Sequence, residues 1–129
     1  MKKNLRNRLF FLKKYFIRVK NDGFYLNNIK IVDKKSELQF AIFDILIDHY
    51  FYEIKNGCCY LHIKSICDQL EQKSVFLDNP QNQINNAIYK IRNNIKKITH
   101  INYQIIENKR WEGFRINNEV FLCRGDNFL

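Results

Sequence analysis

The sequence predicts an α+β domain with a small N-terminal antiparallel sheet, three helices and a C-terminal β-hairpin. Three observations carry this prediction. Residues 15–32 alternate β-forming residues between two turn signals. Three segments between Ser36 and Ile98 repeat apolar residues at helical spacing. Finally, Ile101 to Ile116 reads as two strands around a polar tip. At 129 residues the chain is long enough for one real core, and no shift in composition marks a second domain. Its 46% hydrophobic and 15% aromatic content argues against disorder. The expected division is a basic extension over 1–14, a folded core over 15–117 and a C-terminal tail over 118–129. The pattern leaves the extension open between a basic amphipathic helix and an additional strand.

Tyr15 to Val19 reads as a strand, Lys20-Asn21-Asp22-Gly23 as a turn, and Phe24-Tyr25-Leu26 as the returning strand. Asn27-Asn28 makes a second turn before Ile29 to Val32. Ser36-Glu37-Leu38-Gln39 is a capping box, with Ser36 as N-cap and Gln39 reaching back. The helix it opens buries Phe40, Ile42, Phe43, Leu46 and Ile47 and is expected to end near Asp48-His49. A connection over Phe51 to Tyr60 turns at Asn56-Gly57. A second helix follows from about Ile63 to Leu70, with Ile63, Ile66, Cys67 and Leu70 inward, and then a polar loop from Glu71 to Asn79. His62 is expected to cap or flank that second helix. The only proline, Pro80, suits the first turn of the third helix, where its missing N–H costs nothing.

The third helix is the most informative part of the chain. Ile84, Ala87, Ile88, Ile91, Ile95 and Ile98 fall on one apolar stripe. The opposite face carries Asn82, Asn86, Tyr89, Asn93 and Lys97, with Asn85, Lys90, Arg92 and Lys96 on its shoulders. An ordinary solvated face alternates Glu with Lys, whereas this one has no acidic residue and is crowded with amides. Asn pairs a donor with an acceptor that meets the N6/N7 edge of adenine, and Lys and Arg supply phosphate contacts. The bland alternative is a surface helix in a chain rich in Asn, Lys and Ile, a composition that A·T-rich coding alone produces.

A formal net charge of +9, from 22 basic and 13 acidic residues, favours a polyanionic partner. Nucleic acid comes first and an anionic membrane surface second. The cysteines Cys58, Cys59, Cys67 and Cys123 contain no C-x-x-C pair and read as small buried hydrophobes in a reducing cytoplasm. No apolar run approaches the roughly 20 residues of a membrane span. Leu9 to Leu12 is cut too short by Lys13-Lys14 for a signal peptide. No phosphate-loop, dinucleotide-binding, zinc-protease or nucleophile-elbow motif occurs, His49, His62 and His100 lie apart, and the carboxylates are dispersed. No enzymatic activity and no cofactor or metal are expected.

A short sheet, two helices, a loop, a long helix and a basic hairpin, in that order, make the layout of a winged helix-turn-helix domain. Three segments resemble the OmpR/PhoB-type DNA-binding domain of bacterial response regulators. Gln39-Phe-Ala-Ile-Phe-Asp-Ile-Leu-Ile-Asp-His49 is similar to that family's first-helix pattern E-F-x-L-L-x-L-L-L-x-H, with Ser36 where the family has a Thr cap. Ile84-Asn-Asn-Ala-Ile-Tyr-Lys-Ile-Arg-Asn-Asn-Ile95 is similar to its recognition helix, and Ile106-Glu-Asn-Lys-Arg-Trp-Glu-Gly-Phe-Arg-Ile116 to its wing. Together the matches span about residues 27–117.

The resemblance implies base reading by Asn85, Asn86, Tyr89 and Lys90, to which the amide pattern adds Asn82. It implies a phosphate role for Arg92, beside the basic candidates Lys96, Lys97 and Lys109, and insertion of Arg110 from the wing. The loop with Glu71, Lys73 and Asp78 would be the one that in this family touches RNA polymerase. Two family positions on the recognition helix, one acidic and one valine, are both Asn here, so the family's target sequence does not transfer. The wing's Arg-Gly has become Arg110-Trp111, and Trp carries a steric cost at positive φ that Gly does not. Only residues 1–26 precede the match, so no receiver domain is expected on this polypeptide.

The function expected from these readings is sequence-specific binding of A·T-rich double-stranded DNA by a cytoplasmic transcriptional regulator, with a homodimer on DNA as one arrangement. Other classes compatible with the sequence are a winged-helix replication or partition factor, a protein–protein adaptor on the same fold, and a peripheral membrane binder inserting Leu9 to Phe11.

Overall fold

The computed structural model describes residues 15–53, 59–102, 104–124 and 127–128. Their elements are β1 (Phe16–Lys20), β2 (Gly23–Leu26), β3 (Ile29–Asp33), α1 (Glu37–Glu53), α2 (Ile63–Gln72), α3 (Pro80–Thr99), β4 (Ile106–Lys109), β5 (Gly113–Ile116), β6 (Phe121–Arg124) and β7 (Asn127–Phe128). The chain is thus α+β, with three helices set between small sheets. The readings made for residues 1–14, for the turn at Asn56-Gly57, for Cys58 and for residues 125, 126 and 129 of the expected tail fall outside the described residues.

The larger sheet has the order β3-β2-β1-β6-β7. Both expected N-terminal turns are present. Asn27 and Asn28 take φ of 48° and 70° between the paired Leu26 and Ile29, the two positive values that a tight type I′ hairpin requires. Asn27 also receives the Phe16 N–H on its side-chain oxygen at 2.9 Å, which fixes the turn to the start of β1.

The sequence reading ends the folded core at residue 117 and treats 118–129 as a tail, and here the structure differs. Phe121–Arg124 runs parallel to β1, with Phe16 opposite Phe121 and Ile17 opposite Leu122. Val120, Leu122 and Cys123 are buried. A parallel partner 105 residues away leaves no local turn signal, which is why the pairing is invisible in the sequence. It is also what places β1 at the centre of the sheet.

The first helix runs to Glu53, one turn beyond the expected end. Tyr50 continues its buried face, and the Tyr50 hydroxyl donates to the Val120 carbonyl at 2.6 Å. The polar pair Asp48-His49 reads as a stop, but tertiary burial of the next turn outweighs it. With Ile42, Phe43, Ile45, Leu46, Ile47 and Tyr50 all buried, α1 is the centre of the core, whereas Phe40 is only half-buried. In α2, Ile66 and Leu70 are buried, and Ile63 and Cys67 pack half-buried against the core. Burial pushes the Cys67 thiol pKa up. Cys59 is exposed, contrary to the expectation of uniformly buried cysteines.

The long helix begins at Pro80 as expected and ends at His100, whose left-handed φ of 58° closes it by an N–H donated to the Lys96 carbonyl. Ile84, Ala87, Ile88, Ile91 and Ile95 are buried, but Ile98 is 42% exposed, because the stripe outruns the surface it packs on. Asn94 donates from Nδ2 to the Ile31 carbonyl at 2.7 Å, tying α3 to the edge strand β3 and occupying a main-chain acceptor there.

Strand β4 starts at Ile106, not at Ile101. The left-handed residue at 100 turns the chain, and Ile101 and Ile105 pack against the core or within it before pairing begins. The register Ile106–Ile116, Glu107–Arg115, Asn108–Phe114 and Lys109–Gly113 leaves only Arg110, Trp111 and Glu112 in the turn, so Glu107, Asn108, Lys109 and Gly113, expected in the tip over 107–113, are strand.

Candidate nucleic-acid interface

Burial on α3 divides cleanly. Asn82, Asn85, Asn86, Lys90, Asn93, Lys96 and Lys97 are exposed, and Tyr89 is 64% exposed. Five of the residues expected to read bases therefore share one solvent-facing surface, and the helix carries no carboxylate to repel an anion. At its start the Asn79 N–H donates to Gln83 Oε1 at 2.8 Å, while the Asn79 side chain makes no cap, so the first turn is held from inside the helix. Lys96 and Lys97 sit in the last turn, where they also complement the helix dipole.

Arg92 departs from its expected role. Its guanidinium is half-buried and turned into the hairpin, donating to the Ile106 carbonyl from Nε at 3.1 Å and from Nη2 at 2.7 Å. A further bond runs from Nη2 to Asn108 Oδ1 at 3.1 Å. Burial lowers its pKa. The structure makes it a strut between α3 and β4, with these donors committed and not offered to a phosphate.

The hairpin is anchored at its other strand as well. Leu61 bridges Phe114 through N–H to carbonyl bonds of 2.6 and 2.9 Å in the two directions, which adds a third short edge to the β4–β5 pair. Gly113, at φ 121°, lies so close that a Cβ there would stand 2.1 Å from the Leu61 carbonyl oxygen. No other residue fits that crossing. Tyr60 donates its hydroxyl to Glu107 at 3.2 Å and lies beneath the Arg115 guanidinium at 4.3 Å.

At the tip, Glu112 donates its N–H to the Lys109 carbonyl at 3.0 Å, and Trp111 has φ 71°. A positive φ confined to the third of four turn residues is the type II pattern, whose usual occupant there is Gly. Trp111 is 82% exposed, so its ring is no part of the core. The Arg110 guanidinium lies 5.2 Å from the ring centroid. Lys109 pairs with Glu112 at 2.9 Å, a bond that raises the lysine pKa, while both side chains stay largely exposed.

Clefts flank α3 on both sides. One of about 420 Å³ lies between Gln83, Asn86 and Lys90 and the start of α1 at Ser36 and Glu37. Another of about 500 Å³ lies between Gln81 and Asn85, the start of α2 and the hairpin tip. The exposed face of α3 is thus a ridge with a depression on either side. His62 stands at the second cleft and caps α2 as expected, its Nδ1 accepting from the Lys64 N–H at 3.1 Å.

The α2–α3 loop begins two residues later than expected, because Glu71 and Gln72 still belong to the last turn of α2; Glu71 and Asp78 are exposed, and Lys73 pairs with Asp44 of α1 at 3.3 Å. Sequence reasoning passed over Phe76, which is 73% exposed in that loop, although an aromatic in a polar stretch was itself the signal. It also missed Asn108 as the acceptor for Arg92, and Gln81 at the cleft.

Among the described residues no group of three or more His, Cys, Asp or Glu side chains is placed to hold a metal ion, and no helix is long and apolar enough to cross a membrane. Comparison with protein-family models, curated proteins and solved structures gives no match.

Proposed function

We propose that the protein is a sequence-specific double-stranded DNA-binding protein of winged helix-turn-helix type, acting in the cytoplasm as a transcriptional regulator. In this reading α3 enters the major groove and the β4–β5 hairpin reaches the neighbouring minor groove. The observation that carries it is the exposed face of α3: amides and lysines without a carboxylate, raised between two clefts. An α-helix fits the major groove, and Asn amides and the Tyr89 ring match adenine edges and thymine methyls there. The OmpR/PhoB-like motifs support the same assignment, with Asn82, Asn85, Asn86, Tyr89 and Lys90 reading bases. Lys96, Lys97 and Lys109 hold phosphates. Selection of bound sequences from random duplexes tests the reading, and an A·T-rich motif is expected. For about five phosphate contacts the slope of log K against log salt is expected at roughly −4 to −5. A slope near zero, or no enriched sequence, would overturn it.

A protein contact is favoured separately by Phe76. A 73% exposed aromatic in the loop between α2 and α3, two residues before the exposed Asp78, suits a partner such as RNA polymerase. Loss of a polymerase interaction in Phe76→Ala, with DNA affinity kept, is the expected result.

A further inference from the structure

The cleft between α3 and the hairpin joins two elements that the sequence presents as separate readers. Gln81 and Asn85 line it from α3, His62 from the start of α2, and Trp111 and Phe114 from the hairpin. We propose that this cleft holds one strand of the bound duplex, with the free face of Trp111 packed against a deoxyribose of that strand. The contact reads the position of the backbone and not the identity of a base. This rests on the DNA-binding reading above.

Four features of the site lead there. First, the Trp111 ring is 82% exposed and projects from a turn position that disfavours any side chain, so core packing does not account for it. Second, Arg110 covers one face of the ring. An aromatic inserted between base pairs needs both faces, whereas the edge of a sugar needs only one. Third, the lining is apolar from Trp111 and Phe114 and neutral-polar from Gln81, Asn85 and Asn108, which suits the C–H edges and ring oxygens of sugars. Lys109 and Arg110 stand at the same cleft for the phosphates, and the one acid at the tip, Glu112, is paired with Lys109. Charge complementarity therefore selects a polyanionic strand. Fourth, the hairpin is locked to α3 by Arg92 and to the α2 entry by the Leu61–Phe114 bonds, so the width of the cleft is set before binding.

Trp111 is the only tryptophan in the chain, so its emission reports this contact directly. The test uses the full chain and its selected duplex, with single nucleosides removed in turn from each strand. Emission is expected to shift on binding. Removal of one particular nucleoside, in one strand, is expected to weaken the wild type about tenfold and to leave Trp111→Ala unaffected. An abasic site that keeps the sugar at that position is expected to bind normally, and Trp111→Phe to recover most of the affinity. Equal melting temperatures of the variants establish that the fold is intact. An abasic site as costly as the missing nucleoside would show that the ring reads a base and would overturn the proposal. So would identical gap profiles for wild type and Trp111→Ala. If the duplex binds, Asn86→Ala weakens it and Trp111 emission does not move, this inference fails alone. If no duplex binds, the DNA-binding reading fails with it.

Discussion

Arg92 and Ile106 are joined by two hydrogen bonds to a single carbonyl, from Nε at 3.1 Å and from Nη2 at 2.7 Å. This forked contact fixes the hairpin against the long helix, and the adjacent Asn108 side chain accepts a third bond. Fixing the two elements sets the distance between the α3 surface and the hairpin tip, on which the proposed engagement of two DNA grooves would depend.

Arg92→Ala is therefore expected to destabilise the fold by about 1–3 kcal/mol, since it removes charge-assisted bonds and leaves the carbonyl of the buried Ile106 without these donors. DNA affinity falls with it, but the salt slope stays unchanged, because no counterion is released at this residue. Arg92→Lys recovers little, as an ammonium lacks the planar fork. Thermal melting and a salt titration separate this from a phosphate contact, which would flatten the slope by about one unit while sparing stability.

Asn86→Ala tests base reading. The side chain is exposed on α3, so stability is expected to change by less than about 0.5 kcal/mol. Affinity for the best selected site is expected to fall by about 1–3 kcal/mol, with little change on random duplex. Equal losses on both would show that this face holds only the backbone.

The elements of the fold that rest on local chemistry were legible in the sequence. Asn27-Asn28 supplies two positive φ values, Pro80 opens a helix, and the Ile84 to Ile95 stripe is buried as its spacing predicts. What depended on distant partners was not legible. The β6 strand pairs with β1 across most of the chain, and Tyr50 extends α1 by bonding to Val120. At the candidate interface, exposure of the amide face followed from periodicity. The inward turn of Arg92 did not, because the sequence gives no sign that an arginine on the shoulder of a helix faces a carbonyl of a later strand.

Lys30 bridges Asp22 and Asp33, each at 3.0 Å, on the exposed side of the sheet. The Lys30 ammonium, and then the Tyr25 hydroxyl, hold the Asp22 carboxyl pKa below its ordinary value. The Lys35 N–H, and then Lys30, do the same for Asp33. Groups with depressed folded pKa values contribute stability that is fully present above the unfolded value of about 3.9 and is lost as pH falls through the folded values. Asp22→Asn with Asp33→Asn is expected to flatten the loss of stability below about pH 4. Acid titrations followed by circular dichroism check this, and identical profiles for wild type and the double variant would contradict it.

Trp111→Gly sets stability against function at one position. The left-handed φ of 71° costs a side-chain-bearing residue about 1–2 kcal/mol that glycine does not incur. Glycine is the residue a type II turn favours at that point, and with the ring 82% exposed its removal forfeits almost no packing. The variant is therefore expected to melt at a higher temperature than the wild type, by a few degrees for a domain of this size. Its affinity for duplex DNA is expected to fall nonetheless. Gly113→Ala is the matched control in the opposite direction, because its Cβ would meet the Leu61 carbonyl oxygen and part the hairpin from its anchor. A Trp111→Gly protein that gains stability without losing affinity would mean that the exposed ring makes no contact with DNA. A simultaneous gain of stability and loss of affinity would identify the strained turn as one kept for binding.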